Sequence, residues 1–157
     1  MKIFEWIEEG LSALCLIVMT ALTFANVIAR YVFSASFSFS EEITTYLFVL
    51  LSLLGTAIAA KRRAHLGLTI LTDAVSPQVR KTMNLVSYVL AVAFSGAIFF
   101  YGIKMVMNQR MLGQVTAGMQ WPEWIYGSFV PFGAVFVVIR FAQAFVEELK
   151  GTSGKEE

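Results

Sequence analysis

The sequence predicts an all-α membrane protein with four transmembrane helices and a short amphipathic cytoplasmic connection between helices 2 and 3. Three observations carry this. The chain of 157 residues is 57% hydrophobic with a mean hydropathy of +0.69, where a soluble domain runs nearer about 45–50% apolar. A soluble chain this short has too little polar surface to cover so much apolar side chain. Finally, four apolar stretches match the ~20 residues that cross a bilayer at about 1.5 Å per residue. Residues 1–157 therefore read as one four-helix domain.

The opening Met-Lys-Ile-Phe-Glu-Trp-Ile-Glu-Glu-Gly is acidic at Glu5, Glu8 and Glu9. A cleaved secretory signal wants a basic start and a short apolar core. Ile3 to Glu9 instead reads as an interfacial lead-in, with Trp6 at headgroup level. The first span covers about 11–33. Asn26 and Arg30 lie four apart near its far end. They read as end-of-helix polarity with Arg30 snorkelling to water, or as a polar pair facing protein.

Ser34 to Ser40 form a turn, and Ser38-Phe39-Ser40-Glu41 fits a capping box. The second span then covers about 39–60. Glu41 and Glu42 sit at the positive end of its dipole. Arg30 leaves the first helix where these two enter the second. The three residues read as a hairpin ion pair, or as a docking site for a periplasmic partner. Farther along, Ser52/Thr56 and Gly55/Ala59 place small residues at four-residue spacing. Such rows let membrane helices approach closely, so this face is a candidate for packing against a partner subunit.

Lys61, Arg62 and Arg63 end the span, because each cation costs about 2.5–3.5 kcal/mol at a bilayer centre. Residues 61–82 form the connection, with Arg80 and Lys81 at its far end and Asp73 its one acid. Leu66, Leu68, Ile70, Leu71 and Val75 are too few to span. They suit a piece lying on the membrane, with its basic ends and His65 among lipid headgroups. Pro77 breaks it.

The third span covers about 83–107. Ser87, Ala91 and Ser95 form a second small-residue face, and Lys104 can snorkel outward. In and around the outer loop, Met105, Met107, Met111 and Met119 raise a copper reading. No Cys or His lies near them, so apolar packing is the better one. Trp121-Pro122-Glu123-Trp124 opens the fourth span, about 122–145, with proline in the first turn and tryptophans in the interface belt. Pro131 and Gly133 predict a kink within it. Arg140 is expected to snorkel inward. An even number of spans puts both termini beside the basic connection. That side then holds Lys2, Lys61, Arg62, Arg63, Arg80, Lys81, Arg140, Lys150 and Lys155, against Arg30, Lys104 and Arg110 outside. By the positive-inside rule both termini are cytoplasmic.

Several functions are excluded. Net charge is +1, which leaves no nucleic-acid footprint. Cys15 is the single cysteine and His65 the single histidine, so an internal disulfide, a bis-histidine haem and a His/Cys zinc site have no ligands. No acid sits at mid-span, where an ion relay places one. No catalytic residue, cofactor or metal is assigned. The alternative is an independent four-helix membrane protein, such as a homo-oligomeric channel or a membrane enzyme. A channel needs a polar stripe along a whole helix, and an enzyme needs clustered titratable groups.

Three stretches resemble the small membrane subunit of tripartite ATP-independent periplasmic (TRAP) transporters. Asn26-Val27-Ile28-Ala29-Arg30-Tyr31-Val32-Phe33 with Glu41-Glu42 is similar to that family's first hairpin. Leu54-Gly55-Thr56-Ala57-Ile58-Ala59, with Lys61 and His65 beyond, is similar to its second-helix exit. Gly113-Gln114-Val115-Thr116-Ala117-Gly118-Met119, leading to Pro122-Glu123-Trp124 and Pro131-Phe132-Gly133, is similar to its last loop and helix. The chain departs from the family at Phe39, where tryptophan is common, and at Trp121, where an aliphatic residue often precedes the proline. The resemblance implies a bacterial inner-membrane subunit without enzyme activity. Its partners would be a large membrane subunit carrying substrate and sodium, a periplasmic substrate-binding protein and membrane lipids. The implied cargo is an organic acid: a C4-dicarboxylate, keto acid, sugar acid or sialic acid.

Overall fold

The computed structural model describes residues 2–35, 37–61 and 77–150. Five helices run in order: α1 Lys2–Val32, α2 Ser38–Lys61, α3 Pro77–Met111, α4 Glu123–Gly127 and α5 Phe129–Leu149. Four segments are long and apolar enough to span: Trp6–Val32, Ser38–Lys61, Lys81–Met111 and Glu123–Leu149, the last formed by α4 and α5 together. This is the expected all-α membrane architecture.

Three boundaries differ from expectation, each for a physical reason. The lead-in is not separate, because α1 is one helix from Lys2. Its second turn is fixed by Glu8, which pairs with Arg140 of α5. Helix α3 starts at Pro77, since proline's missing N–H costs nothing in a first helical turn, and the span within it begins at Lys81 rather than 83. It ends at Met111 in a Schellman motif. Gly113 sits at φ +59, its N–H bonds the Arg110 carbonyl at 3.3 Å, and Gln114 N–H bonds the Gln109 carbonyl at 3.0 Å. This geometry favours glycine. The fourth span is interrupted at Ser128, between α4 and α5. Pro131 offers no N–H to the Gly127 carbonyl, and its ring crowds that carbonyl. The interruption therefore falls one turn before the proline. Residues 62–76, most of the amphipathic connection, and the tail 151–157 lie outside the described residues.

The spans form a row rather than a closed bundle. α1 packs on α2, α2 on α5, and α5 on α3; among the described residues no other pair of spans packs extensively. Burial follows position in the row. Only 6% of the apolar stretch of α1 and 11% of that of α3 are buried, against 22% for α2 and 39% for the fourth span. The edge helices therefore face lipid or another protein.

The core lies along the α2–α5 seam. Leu50, Leu54, Ala57 and Ala60 of α2 meet Phe136, Val137, Phe141 and Ala144 of α5, with Cys15 from α1 and Tyr88 from α3. Leu54 and Ala57 are fully buried. The residues recur at three- and four-residue steps, which keeps them on one side of each helix. The helices approach closely at Gly133, where an added Cβ would lie 2.7 Å from the Leu53 Cβ.

Polar residues form two belts. On each span the distance along the axis between belts is about 28–32 Å at 1.5 Å per residue: Glu9 to Arg30, Glu42 to Lys61, Asn84 to Lys104, and Glu123 to Gln143. A bilayer's hydrocarbon core is about 30 Å thick. The belts therefore match its two boundaries.

Candidate functional site

The first candidate is the outward face of α2. Thr45, Phe48, Ser52, Gly55 and Thr56 are all exposed, and Ala59 is half-buried. Their spacing places them on one helical face. Each hydroxyl on it is already satisfied: Thr45 donates to the Glu41 carbonyl, Ser52 to the Phe48 carbonyl and Thr56 to the Ser52 carbonyl, each at 2.8 Å. A Cβ added at Gly55 would meet nothing within 4 Å. The face thus has its hydroxyls satisfied and is uncovered by the described residues. These are the properties of surfaces that pack closely in lipid.

The small residues of α3 are placed differently. Ser95 is 2% exposed, and its hydroxyl donates to the Ala91 carbonyl at 2.7 Å and the Val92 carbonyl at 3.2 Å. Ala91 packs against the chain's own core, and Ser87 is half-buried. Ser95 is therefore not available to a partner. A small-residue row shows that close packing occurs but not with which neighbour, and on α3 the neighbour is internal.

At the end of the row that carries the α1–α2 hairpin, the expected ion pair does not form among the described residues. Arg30 is exposed and has no ion pair among the described residues. Glu41 is exposed too. Glu42 instead accepts two backbone hydrogen bonds from the loop between α3 and α4, from Gly118 N–H at 2.5 Å and Met119 N–H at 3.3 Å. A carboxylate held by two amides anchors that loop on the start of α2. The loop is itself folded: Thr116 N–H bonds the Trp121 carbonyl at 2.8 Å, and Glu123 N–H bonds the Gln114 carbonyl at 2.9 Å. Met119 sulfur accepts from the Tyr126 hydroxyl at 3.8 Å. The turn between α1 and α2 is held by Asn26, whose side-chain oxygen accepts from Phe37 N–H at 2.8 Å. Ser40 hydroxyl donates to the Leu22 carbonyl at 3.1 Å. Asn26 is thus a hairpin residue. No hydrogen bond joins Ser38 and Glu41 as a capping box would.

At the opposite end Lys61 and Lys81 are exposed. Arg62, Arg63 and His65 lie outside the described residues, as does the Arg80 side chain. Arg140 does not snorkel. It is 3% exposed and grips Glu8, which is 1% exposed. Arg140 Nε lies 3.0 Å from each carboxylate oxygen of Glu8, and Nη2 lies 2.6 Å from Oε2. Nη1 donates to Gln143 at 3.2 Å. Nearby on α5, Glu148 accepts from Asn84 of α3 at 3.3 Å. Removing one member of such a buried pair costs roughly 3–5 kcal/mol in soluble proteins, because the other charge is stranded. The sequence carried a signal for this pair. That signal is limited to opposite charge near the same end of two spans: by residue count Glu8 lies just outside its boundary and Arg140 about one turn inside its own, and the long guanidinium arm bridges the difference.

Comparison with known proteins places this arrangement. The family described as tripartite ATP-independent periplasmic transporters, DctQ component, matches residues 19–151. A Haemophilus influenzae protein assigned as a TRAP transporter small permease protein is 30% identical over 99% of this chain and 94% of its own length. The C4-dicarboxylate TRAP transporter small permease protein DctQ of Vibrio cholerae is 38% identical over 57% of this chain and 38% of its own length. The sialic acid TRAP transporter permease protein SiaT of Haemophilus influenzae is 26% identical over 92% of this chain, yet the match covers only 23% of that longer protein. The four spans, the family match over residues 19–151 and the near full-length relative agree: this chain is a multi-pass membrane protein and belongs to the DctQ-component family of TRAP transporter small permease subunits.

Proposed function

We propose that this chain is the membrane scaffold subunit of a sodium-coupled, binding-protein-dependent transporter that imports an organic acid across the bacterial inner membrane. The observation that carries the reading is the match to SiaT: nearly all of this chain corresponds to under a quarter of one longer permease polypeptide. A unit joined covalently to a larger membrane part in one protein is expected to assemble with such a part when it is a separate chain. In this reading the large subunit moves substrate and sodium, and this chain holds it in the bilayer. Trp6, Trp121 and Trp124, exposed at 79%, 57% and 37%, serve as interface anchors. The basic inner residues keep both termini cytoplasmic. The chain performs no chemistry of its own.

The α2 face from Thr45 to Thr56 is the proposed seat of the large subunit. The exposed outer residues Arg30 and Glu41 are the proposed contacts for the periplasmic binding protein. Relatives are named for C4-dicarboxylate, sialic acid and ectoine, so substrate choice is assigned to the other subunits. Co-purification tests the assembly. The large subunit should come out of detergent with this chain, and Gly55→Leu should release it while the isolated chain keeps its stability, since Gly55 faces open space. A complex that survives Gly55→Leu places the contact elsewhere.

A further inference from the structure

The edge helix α1 is fastened at both ends, and by unlike means. At its outer end the short hairpin to α2 is held by Asn26 on Phe37 N–H and by Ser40 on the Leu22 carbonyl. Along its length the contact is apolar, through residues such as Leu11 and Cys15. At its inner end Glu8 reaches past α2 to Arg140 of α5, a span against which α1 does not otherwise pack extensively.

Apolar contact is non-directional, and the apolar stretch of α1 is only 6% buried. Such contact holds α1 near α2 without specifying the angle at which it lies. A guanidinium–carboxylate pair is directional, because two oxygens must meet a planar fork. Buried ion pairs often add little net stability, and their best-attested use is to specify register. Here both partners are almost wholly buried, and Gln143 holds a further guanidinium nitrogen.

We infer that the Glu8–Arg140 pair is a conformational clasp: it fixes the angle of α1 in the row, with the outer hairpin as the hinge about which α1 swings when the clasp is absent. The claim concerns the shape of this chain and goes beyond its role in transport. Neither residue is required to titrate or to meet substrate.

Distance measurement between spin labels tests it, on the full-length chain in lipid nanodiscs in a Cys15→Ala background. One label pair, Ile7→Cys with Leu149→Cys, reads the inner end. A second, Val32→Cys with Leu112→Cys, reads the outer end; all four sites are exposed. The apolar double variant Glu8→Met with Arg140→Leu should fold with its helix content unchanged. Its inner distance distribution should widen at least twofold, while the outer one stays as in the parent. The charge swap Glu8→Arg with Arg140→Glu should narrow the inner distribution again. Should the apolar variant fail to fold, Glu8→Gln with Arg140→Gln provides the same readout at similar volume. An inner distribution as narrow as the parent's in a folded variant lacking the pair overturns the clasp. Equal widening at both ends overturns it too, since that reports general loosening rather than a swing about the hairpin.

Discussion

Replacing Gly133 by alanine perturbs the central seam at its tightest point. The new methyl carbon would lie 2.7 Å from the Leu53 Cβ and 2.8 Å from its Cδ1. Ordinary carbon contacts are about 3.5–4.0 Å, so the shortfall is about 1 Å. Rotating Leu53 moves Cδ1 but not Cβ, which is fixed to the backbone of α2. The helices must therefore separate, and α2–α5 is the seam on which both edge helices are mounted. Overpacking of this kind costs about 1–3 kcal/mol, and a clash with backbone-fixed carbon belongs in the upper part of that range. Alanine returns about 0.5–1 kcal/mol through helix propensity. The net loss is about 1–2 kcal/mol, and at about 2–4 °C per kcal/mol for a chain of this size the midpoint falls by roughly 2–8 °C. The chain supplies its own probe: Cys15 is its single cysteine and is 5% exposed, so a thiol-reactive dye reports unfolding in detergent. Gly55→Ala is the control, because its methyl meets nothing within 4 Å, and its midpoint should hold or rise. A Gly133→Ala chain as stable as the parent would refute the close-approach argument.

Two further outcomes follow from the outer residues and the topology. Glu42→Gln should speed amide exchange at Gly118 about tenfold, the equivalent of losing about 1.4 kcal/mol from a charge-assisted bond, whereas Glu41→Gln should leave it unchanged; equal effects would remove Glu42 as the loop anchor. In intact cells an impermeant thiol reagent should label a cysteine placed at Ser36 and miss one placed at Ser153, and the reverse pattern would invert the topology.

The spans were legible because bilayer thickness imposes a length and an apolar composition on each. What escaped was pairing. Ser95 and Gly55 sit in similar small-residue rows, yet one is packed inside the chain and the other is uncovered; only the order of helices in the row separates them. Arg140 looked like a snorkelling residue because, viewed on its own helix, it lies near an apolar end. Its partner is 132 positions away. Glu42 looked like half of an ion pair because Arg30 is near in sequence, but a folded loop brought backbone amides to it first. Proline did announce the break in the fourth span. The interruption falls at Ser128 because the missing hydrogen bond belongs to the carbonyl four residues earlier.

Reconstitution tests the central claim most directly. Proteoliposomes should be prepared with this chain alone, with the large subunit alone, and with both, then supplied with sodium and the substrate-loaded binding protein. The scaffold account predicts sodium-dependent uptake only when both membrane subunits are present. Uptake by this chain alone, or full uptake by the large subunit without it, would contradict that account.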